Sequence, residues 1–209
     1  CNYICVHILY HLSALKKLLI IDKTTLINHN KEIHSVFDFN KKFFSETSGT
    51  TGQVLKFYRN EEWDSGHRAA IYRGYSWYGI EPWDRNGYFW GYNIGGLSKY
   101  KVRFWDVLQN RFRIFSYDEK SIVKFVKKLA KAKYLHGYSS MIYEVAKKVN
   151  LLGLSGKYQL SMIKGTSEKI YDSYQSEVLN AFGLKIISEY GSSESGIIAY
   201  ECPEGHNMH

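Results

Sequence analysis

Apolar residues recur along this chain with two periods, and the alternation between them outlines an architecture. Ile122, Phe125, Val126, Leu129 and Ala130 follow the 3.6-residue spacing of an amphipathic helix. They come directly after Ser116-Tyr117-Asp118-Glu119, which reads as a capping box. Met141, Ile142, Val145 and Val149 repeat the spacing behind Ser139 or Ser140 as cap. Ile170, Tyr174, Val178 and Phe182 repeat it again, with Gly183 as the stop. Between the helical stretches lie apolar runs of strand length at 87–92, 134–138, 159–164 and 184–188. Strand and helix in this rhythm predict βαβ units, hence an α/β fold with a largely parallel sheet and flanking helices. Ligands of such sheets gather at the carboxyl ends of the strands. Residues 165–168 and 190–194 fall at such ends, which brings two separate loops toward one crevice.

Upstream, Asp22 or Thr24 can cap a helix ahead of Leu26 and Ile27. Asn60 can cap a longer one reaching Tyr78, with Trp63, His67, Ala70, Ile71, Gly74 and Tyr78 on one face and Gly79 as its stop. On that face His67 reads as a packed residue ahead of a catalyst. The runs 42–46 and 54–58 are β-like and flank residues 47–53, so they predict two paired strands joined by that loop.

Composition narrows the class. With 209 residues, 44% hydrophobic and 16% aromatic, the chain can bury a core, and its 2 prolines mark no linker between separate domains. The formal charge of +8, from 28 Lys+Arg against 20 Asp+Glu, favours anionic ligands. Lys120, Lys124, Lys127, Lys128 and Lys131 fall at helical spacing and read as a solvated face. No nucleic-acid motif accompanies them, so no nucleic-acid partner is expected. Three cysteines, Cys1, Cys5 and Cys202, are too few and odd in number for a disulfide framework and point to a reducing, cytoplasmic setting. Cys1, Cys5, His7 and His11 match no zinc spacing, and no apolar run is long enough for a membrane span.

Chemistry concentrates in Ser45-Glu46-Thr47-Ser48-Gly49-Thr50-Thr51-Gly52-Gln53, where four hydroxyls and two glycines stand within six residues. Glycines let backbone N–H groups turn toward a ligand, and hydroxyls add movable donors, a combination that suits a polyphosphate. Gln53 follows Gly52 where a Walker loop would continue with Lys, and no GxGxxG is present.

Thr47 to Gly52 also match, residue by residue, the core of the TSGTTGxPxK signature of the adenylate-forming ligases. Tyr190-Gly191-Ser192-Ser193-Glu194 has the form of that family's YGxxE motif, in the same chain order. His136-Gly137-Tyr138-Ser139-Ser140 is similar to its GYPS segment, with Ser139 in place of proline. Glu201-Cys202-Pro203 resembles the phenylacetate–CoA ligase and CapK-like capsular polysaccharide branch. The chain departs from the signature at Val54, where proline is usual.

The resemblance implies ATP-dependent activation of a small-molecule carboxylic acid as an acyl-adenylate, followed by transfer to coenzyme A. It implies that Thr47, Ser48, Gly49, Thr50, Thr51 and Gly52 serve the phosphates, with Thr51 and Glu194 in catalytic roles. Tyr190, Gly191, Ser192 and Ser193 would flank adenine and the α-phosphate, Glu194 would hold magnesium, and Glu168 would border the nucleotide and acyl sites. Cys202 and His209 would be half of a structural zinc site, the alternative being a hairpin with a packed cysteine and surface histidines. By the same resemblance residues 1–209 are a partial N-terminal adenylation domain. The family's ribose-binding aspartate, C-terminal domain and catalytic lysine would lie beyond His209, and the piece alone would be inactive. A truncated, non-catalytic nucleotide-binding protein is the alternative expectation.

Overall fold

The computed structural model describes residues 20–34, 39–47, 53–89, 97–156, 158–205 and 207–209. The chain forms two compact units, Cys1–Gly66 and His67–His209.

In the first unit, α1 (Lys23–Asn28) starts at Asp22, whose carboxylate accepts the Thr25 N–H at 2.7 Å, and α2 (Asn30–Ile33) follows. Strand β1 (Lys42–Glu46) pairs antiparallel with β2 (Lys56–Asn60), placing Glu46 opposite Lys56. One step beyond that rung, the Thr47 N–H donates to the Leu55 carbonyl at 3.0 Å and the Leu55 N–H donates to Thr47 Oγ1 at 3.1 Å. The two predicted strands are therefore paired, the second lying two residues later than its predicted 54–58, and two hydrogen bonds between Thr47 and Leu55 extend the pairing. Asn60 caps α3 (Glu61–Ser76) through the Trp63 N–H at 2.8 Å, as its sequence position suggests.

The second unit is built on a six-stranded sheet. In chain order it comprises β3 (Asn86–Phe89), α4 (Leu97–Leu108), β4 (Arg111–Arg113), α5 (Glu119–Leu129), β5 (Tyr134–Tyr138), α6 (Ser139–Leu151), β6 (Met162–Thr166), α7 (Asp172–Phe182), β7 (Ile186–Ser192) and β8 (Gly196–Tyr200). The strand order is β4-β3-β5-β6-β7-β8. All pairs are parallel except β7 with β8, so the expected largely parallel sheet is observed.

Strand residues alternate between two faces, and the faces differ in chemistry. Phe89, Leu135, Ile163 and Ile186 are buried with Ile122 and Phe125 of α5, Val145 and Val149 of α6, and Val178 and Phe182 of α7, forming one dry core. The opposite register carries Asn86, Tyr88, Tyr134, His136, Met162, Lys164 and Glu189. There Tyr75 from the end of α3 joins Ile80, Tyr134, Met162 and Tyr200 in a smaller, mostly aromatic cluster. One face of the sheet thus serves folding alone, and the other holds polar groups that a purely structural sheet would not need.

Several local expectations are corrected. The N-cap of α5 is Asp118, whose carboxylate accepts the Ser121 N–H at 2.9 Å, while Ser116 lies before the helix and its hydroxyl accepts the Asp118 N–H at 3.4 Å. Aspartate two residues nearer the helix reaches its free N–H groups where Ser116 cannot. Neither Ser139 nor Ser140 caps α6. Its first turn is served from another strand end, because Glu168 Oε2 accepts the Ser140 N–H at 2.8 Å. Strand β6 begins at Met162 and runs to Thr166, and β7 extends through Ser192, so both lie later than their apolar runs suggest. Helix α3 stops at Ser76, with a turn through Gly79, whose φ is 67°. The expected strand at 87–92 is observed over Asn86–Phe89, its remainder lying outside the described residues. Cys1, Cys5, His7 and His11 also lie outside them. No helix among the described residues is long and apolar enough to cross a membrane.

Leu135 sits at the centre of the dry face and is fully buried. Leu135→Ala is expected to cost about 2–5 kcal/mol in urea unfolding, from lost transfer energy and a residual cavity. Lys120→Ala on the exposed side of α5 should stay within about 0.5 kcal/mol of the parent.

Candidate functional site

The polar face of the sheet opens into a cavity of about 700 Å³ within the second unit. Its floor is made by alternate residues of four adjacent strands, among them Asn86, Tyr88, His136, Lys164, Thr166 and Glu189. The center of this floor is an ion pair. Lys164 is 5% exposed and its Nζ donates to Glu189 Oε2, while Glu189 also accepts the Thr166 hydroxyl and the Tyr200 hydroxyl, each at 2.7 Å. Burial by itself would raise the Glu189 pKa. The Lys164 charge and the three donated hydrogen bonds outweigh it and hold the carboxyl below the usual carboxylate value.

Beside the pair lies His136. Burial, reinforced by the positive charges of Lys164, Arg111 and Arg113, pushes its imidazole well below the ordinary value of 6.5, so the ring is neutral at pH 7. Its neighbours fix the tautomer. Asn86 donates through Nδ2 to the Asp84 carbonyl at 3.1 Å and presents Oδ1 to His136 Nε2 at 3.2 Å. Nε2 therefore carries the proton, and Nδ1 accepts from the Tyr75 hydroxyl at 3.4 Å.

A second charge cluster reaches the cavity through Arg111. Asp106 of α4 is 4% exposed and accepts from Arg111 Nε at 2.7 Å, from Arg113 Nε at 2.6 Å and from a terminal nitrogen of Arg113 at 2.7 Å. Both guanidinium groups lie over the Tyr88 ring, at 4.4 Å for Arg111 and 4.9 Å for Arg113.

The YGxxE string leaves this floor directly. Tyr190, Gly191 and Ser192 continue β7 from Glu189, and residues 193–195 make the turn into β8. Tyr190 is 61% exposed, which leaves its ring open to stacking, and Ser193 and Glu194 are exposed in the turn. Ser192 shapes the turn, its hydroxyl accepting the Ser195 N–H at 3.0 Å and pairing with the Ser195 hydroxyl at 2.8 Å. Gly191 is required by close approach, since a Cβ there would stand 2.5 Å from the Gly196 carbonyl oxygen. Thr166 ends β6 and touches Glu189, so the two predicted strand ends meet. Glu168, one turn on, has its carboxylate at the N-terminus of α6.

Of the phosphate-loop residues, Thr47 is described, and its hydroxyl accepts the Leu55 N–H. Ser48, Gly49, Thr50, Thr51 and Gly52 lie outside the described residues, as does His206. Cys202 and His209 line one small cavity on a terminal hairpin, in which Cys202 N–H donates to Asn207 O at 2.8 Å and Tyr200 and His209 exchange backbone hydrogen bonds. They are two donors of the four a structural zinc takes, and among the described residues no group of three or more His, Cys, Asp or Glu converges on a metal position. Sequence patterning did not single out His136, Asn86, Lys164, Glu189 or Asp106 for the site. For Asn86, His136, Lys164 and Glu189 the signal was polar residues alternating with buried ones along strands, whereas Asp106 lies on α4 and had none.

Comparison with solved structures fits this arrangement. 2-Hydroxyisobutyryl-CoA ligase in the postadenylation state in complex with R3-HIB-AMP matches with a TM-score of 0.68 at 15% identity, over 97% of this chain and 45% of that one. The chain has the fold of the adenylate-forming ligases. The same ligase in an open conformation with 2-HIB-AMP and CoA matches with a TM-score of 0.65 at 14% identity, over 91% of this chain and 44% of that one. ATP-bound MatB from Rhodopseudomonas palustris matches at 0.51 and 15% identity, over 78% of this chain and 31% of that one. The chain thus spans less than half the length of these solved proteins. No protein-family model and no curated protein matches it by sequence.

Removing one partner of the central pair isolates the other. Lys164→Met should destabilise the protein by about 3–5 kcal/mol in urea, because it leaves Glu189 as an uncompensated charge. Adding Glu189→Leu should recover a large part of the loss. The pH dependence has two windows. The folded pKa of His136 lies below its unfolded value, so stability falls as pH drops below about 6.5, where the unfolded chain takes up a proton the folded one refuses. Glu189 has a depressed folded pKa, so its contribution is present above the unfolded carboxylate value and is lost as pH falls through the folded one. His136→Gln should flatten the decline between about pH 7 and about pH 5 in urea midpoints.

Proposed function

We propose that this chain supplies nucleotide-binding and acid-binding parts of an AMP-forming acid–CoA ligase, in which ATP activates a carboxylic acid as an acyl-adenylate and coenzyme A then takes the acyl group. The observation that carries the reading is the YGSSE hairpin, exposed at the end of β7 and continuous with the floor of a deep cavity, on a fold shared with 2-hydroxyisobutyryl-CoA ligase. The sequence resemblance extends the reading to the phenylacetate–CoA ligase and CapK-like branch, with polysaccharide biosynthesis as its setting.

Adenylation joins two anions, a carboxylate and the α-phosphate, with loss of pyrophosphate. The protein's task is positioning and charge neutralisation. In this reading the exposed ring of Tyr190 lies against adenine, and Ser193 donates its hydroxyl to the α-phosphate. The loop 47–52 brings hydroxyl and N–H donors to the β- and γ-phosphates, with Thr51 catalytic among them. Glu194 is an exposed carboxylate in the turn next to Ser193, a hard oxygen donor of the type magnesium takes, and the ion would neutralise phosphate charge there. The acid enters the cavity on the sheet's polar face with its reacting carboxylate toward the strand ends at Thr166 and Glu189.

ATP with magnesium should raise the melting temperature of this chain, by an amount corresponding to about 2.7 kcal/mol at a hundredfold excess over Kd. Glu194→Ala should remove most of that gain, and so should omission of magnesium. No shift with ATP and magnesium would contradict the reading, and an undiminished shift in Glu194→Ala would remove Glu194 from it.

A further inference from the structure

We infer that the cavity on the polar face selects an acid carrying a second anionic group, such as a dicarboxylate, and that Arg111 binds that group. The purpose of the site rests on the acid-activating reading above, whereas its charge and geometry stand without it.

Three cations, Lys164, Arg111 and Arg113, stand in or behind the floor against two carboxylates, Glu189 and Asp106. Among these five side chains one positive charge is in excess, and Arg68 is a further cation lining the cavity. All five side chains are at most 16% exposed, so solvent compensates that charge poorly. A cavity meant for a fatty or plain aryl tail would gain nothing from this arrangement and would carry its desolvation cost. An anionic group on the incoming molecule balances it.

The excess charge can be assigned to one residue. Arg113 engages Asp106 with both Nε and a terminal nitrogen. Arg111 engages it with Nε alone, and among the described residues no hydrogen bond takes either of its terminal nitrogens. Its guanidinium is held in place by Asp106 on one edge and the Tyr88 ring beneath, and Arg111 lines the cavity whereas Arg113 does not. A planar guanidinium fixed at one edge, with both terminal nitrogens left to donate, suits a carboxylate.

Strand register adds a length. Arg111 lies opposite Asn86, which lies opposite Tyr134, at the amino ends of β3 and β5. Thr166, opposite Tyr138, is at the carboxyl end, four residues further along β5. At about 3.3 Å per residue the two ends are roughly 13 Å apart along the strands. A reacting carboxylate at the Thr166 and Glu189 end leaves the second anionic group toward Arg111, which favours extended diacids over the shortest ones.

The test is calorimetric titration of this chain, without ATP, with succinate, adipate and suberate and with monocarboxylates of matched length. Diacid binding about tenfold tighter than monoacid binding, strongest for the longer diacids, is expected. Arg111→Met should abolish the preference, Arg111→Lys should reduce it while keeping a cation beside Asp106, and Lys127→Ala on exposed α5 should leave it unchanged. Equal or tighter binding of the monoacids overturns the inference, as does a preference that survives in Arg111→Lys and Arg111→Met alike. ATP binding measured on the same samples separates the two ideas. ATP bound without diacid preference defeats this inference alone, and diacid preference without ATP binding supports the pocket chemistry while defeating the ligase reading.

Discussion

The polar face of the sheet depends on the buried pair of Lys164 and Glu189. A lysine in the middle of a parallel sheet, between Ile163 and Gly165, can be tolerated only if its charge is answered within hydrogen-bond reach, and Glu189 of the neighbouring strand does so. Glu189 in turn needs Thr166 and Tyr200, and Tyr200 comes from the antiparallel edge strand β8. The pair thus ties three strands together and fixes the point from which Tyr190 to Glu194 leave the sheet. Its cost in desolvation makes poor sense as a device for stability alone. The pair forms a charged part of the cavity floor immediately before the hairpin of β7 and β8.

The two faces of the sheet divide the labour. On one side α5, α6 and α7 bury an uninterrupted apolar layer, and this supplies the folding energy. On the other, the aromatic cluster around Tyr75 covers part of the sheet, and the remainder is given to His136, Asn86, Lys164 and the arginine cluster on Asp106. His136 is kept neutral there by burial and by three nearby cations, so it acts as a hydrogen-bond relay between Asn86 and Tyr75 at pH 7. The backbone serves the same end at Gly137. It passes so near Phe89 that a Cβ would meet the Phe89 carbonyl oxygen at 2.2 Å, and its φ is 149°. Two strands of the floor are brought together where only glycine fits.

Much of this was legible in residue order. The helical spacing of Ile122 to Leu129 and of Ile142 to Val149 gave two helices of the dry face, because those residues answer to a single apolar layer. The bounds 134–138 for β5 and the pairing of β1 with β2 were also legible. Caps were less so. Glu168 serves the N-terminus of α6 from another strand, a tertiary contact that no local pattern encodes. The late ends of β6 and β7 were missed for a related reason. Thr166 and Tyr190 to Ser192 are polar, and their strand character comes from pairing with neighbours and not from their own apolar runs. Residues 97–113 escaped because α4 has many exposed apolar side chains and β4 is three residues long. Its Asp106, which organises two arginines, could not be read as more than one acid among many. For the site, the motif at 190–194 was legible as a string, while the charged floor beneath it required the register of four strands.

We propose that this chain is part of a protein that joins a carboxylate to the α-phosphate of ATP. The most direct test is acid-dependent exchange of labelled pyrophosphate into ATP, followed with the longer protein expected to carry this chain, magnesium and a panel of mono- and dicarboxylic acids. Reversible adenylation predicts exchange that is absent without acid and appears with the acid that fits the cavity. ATP binding with no exchange above background for any acid would contradict the claim and leave a nucleotide-binding protein without that chemistry.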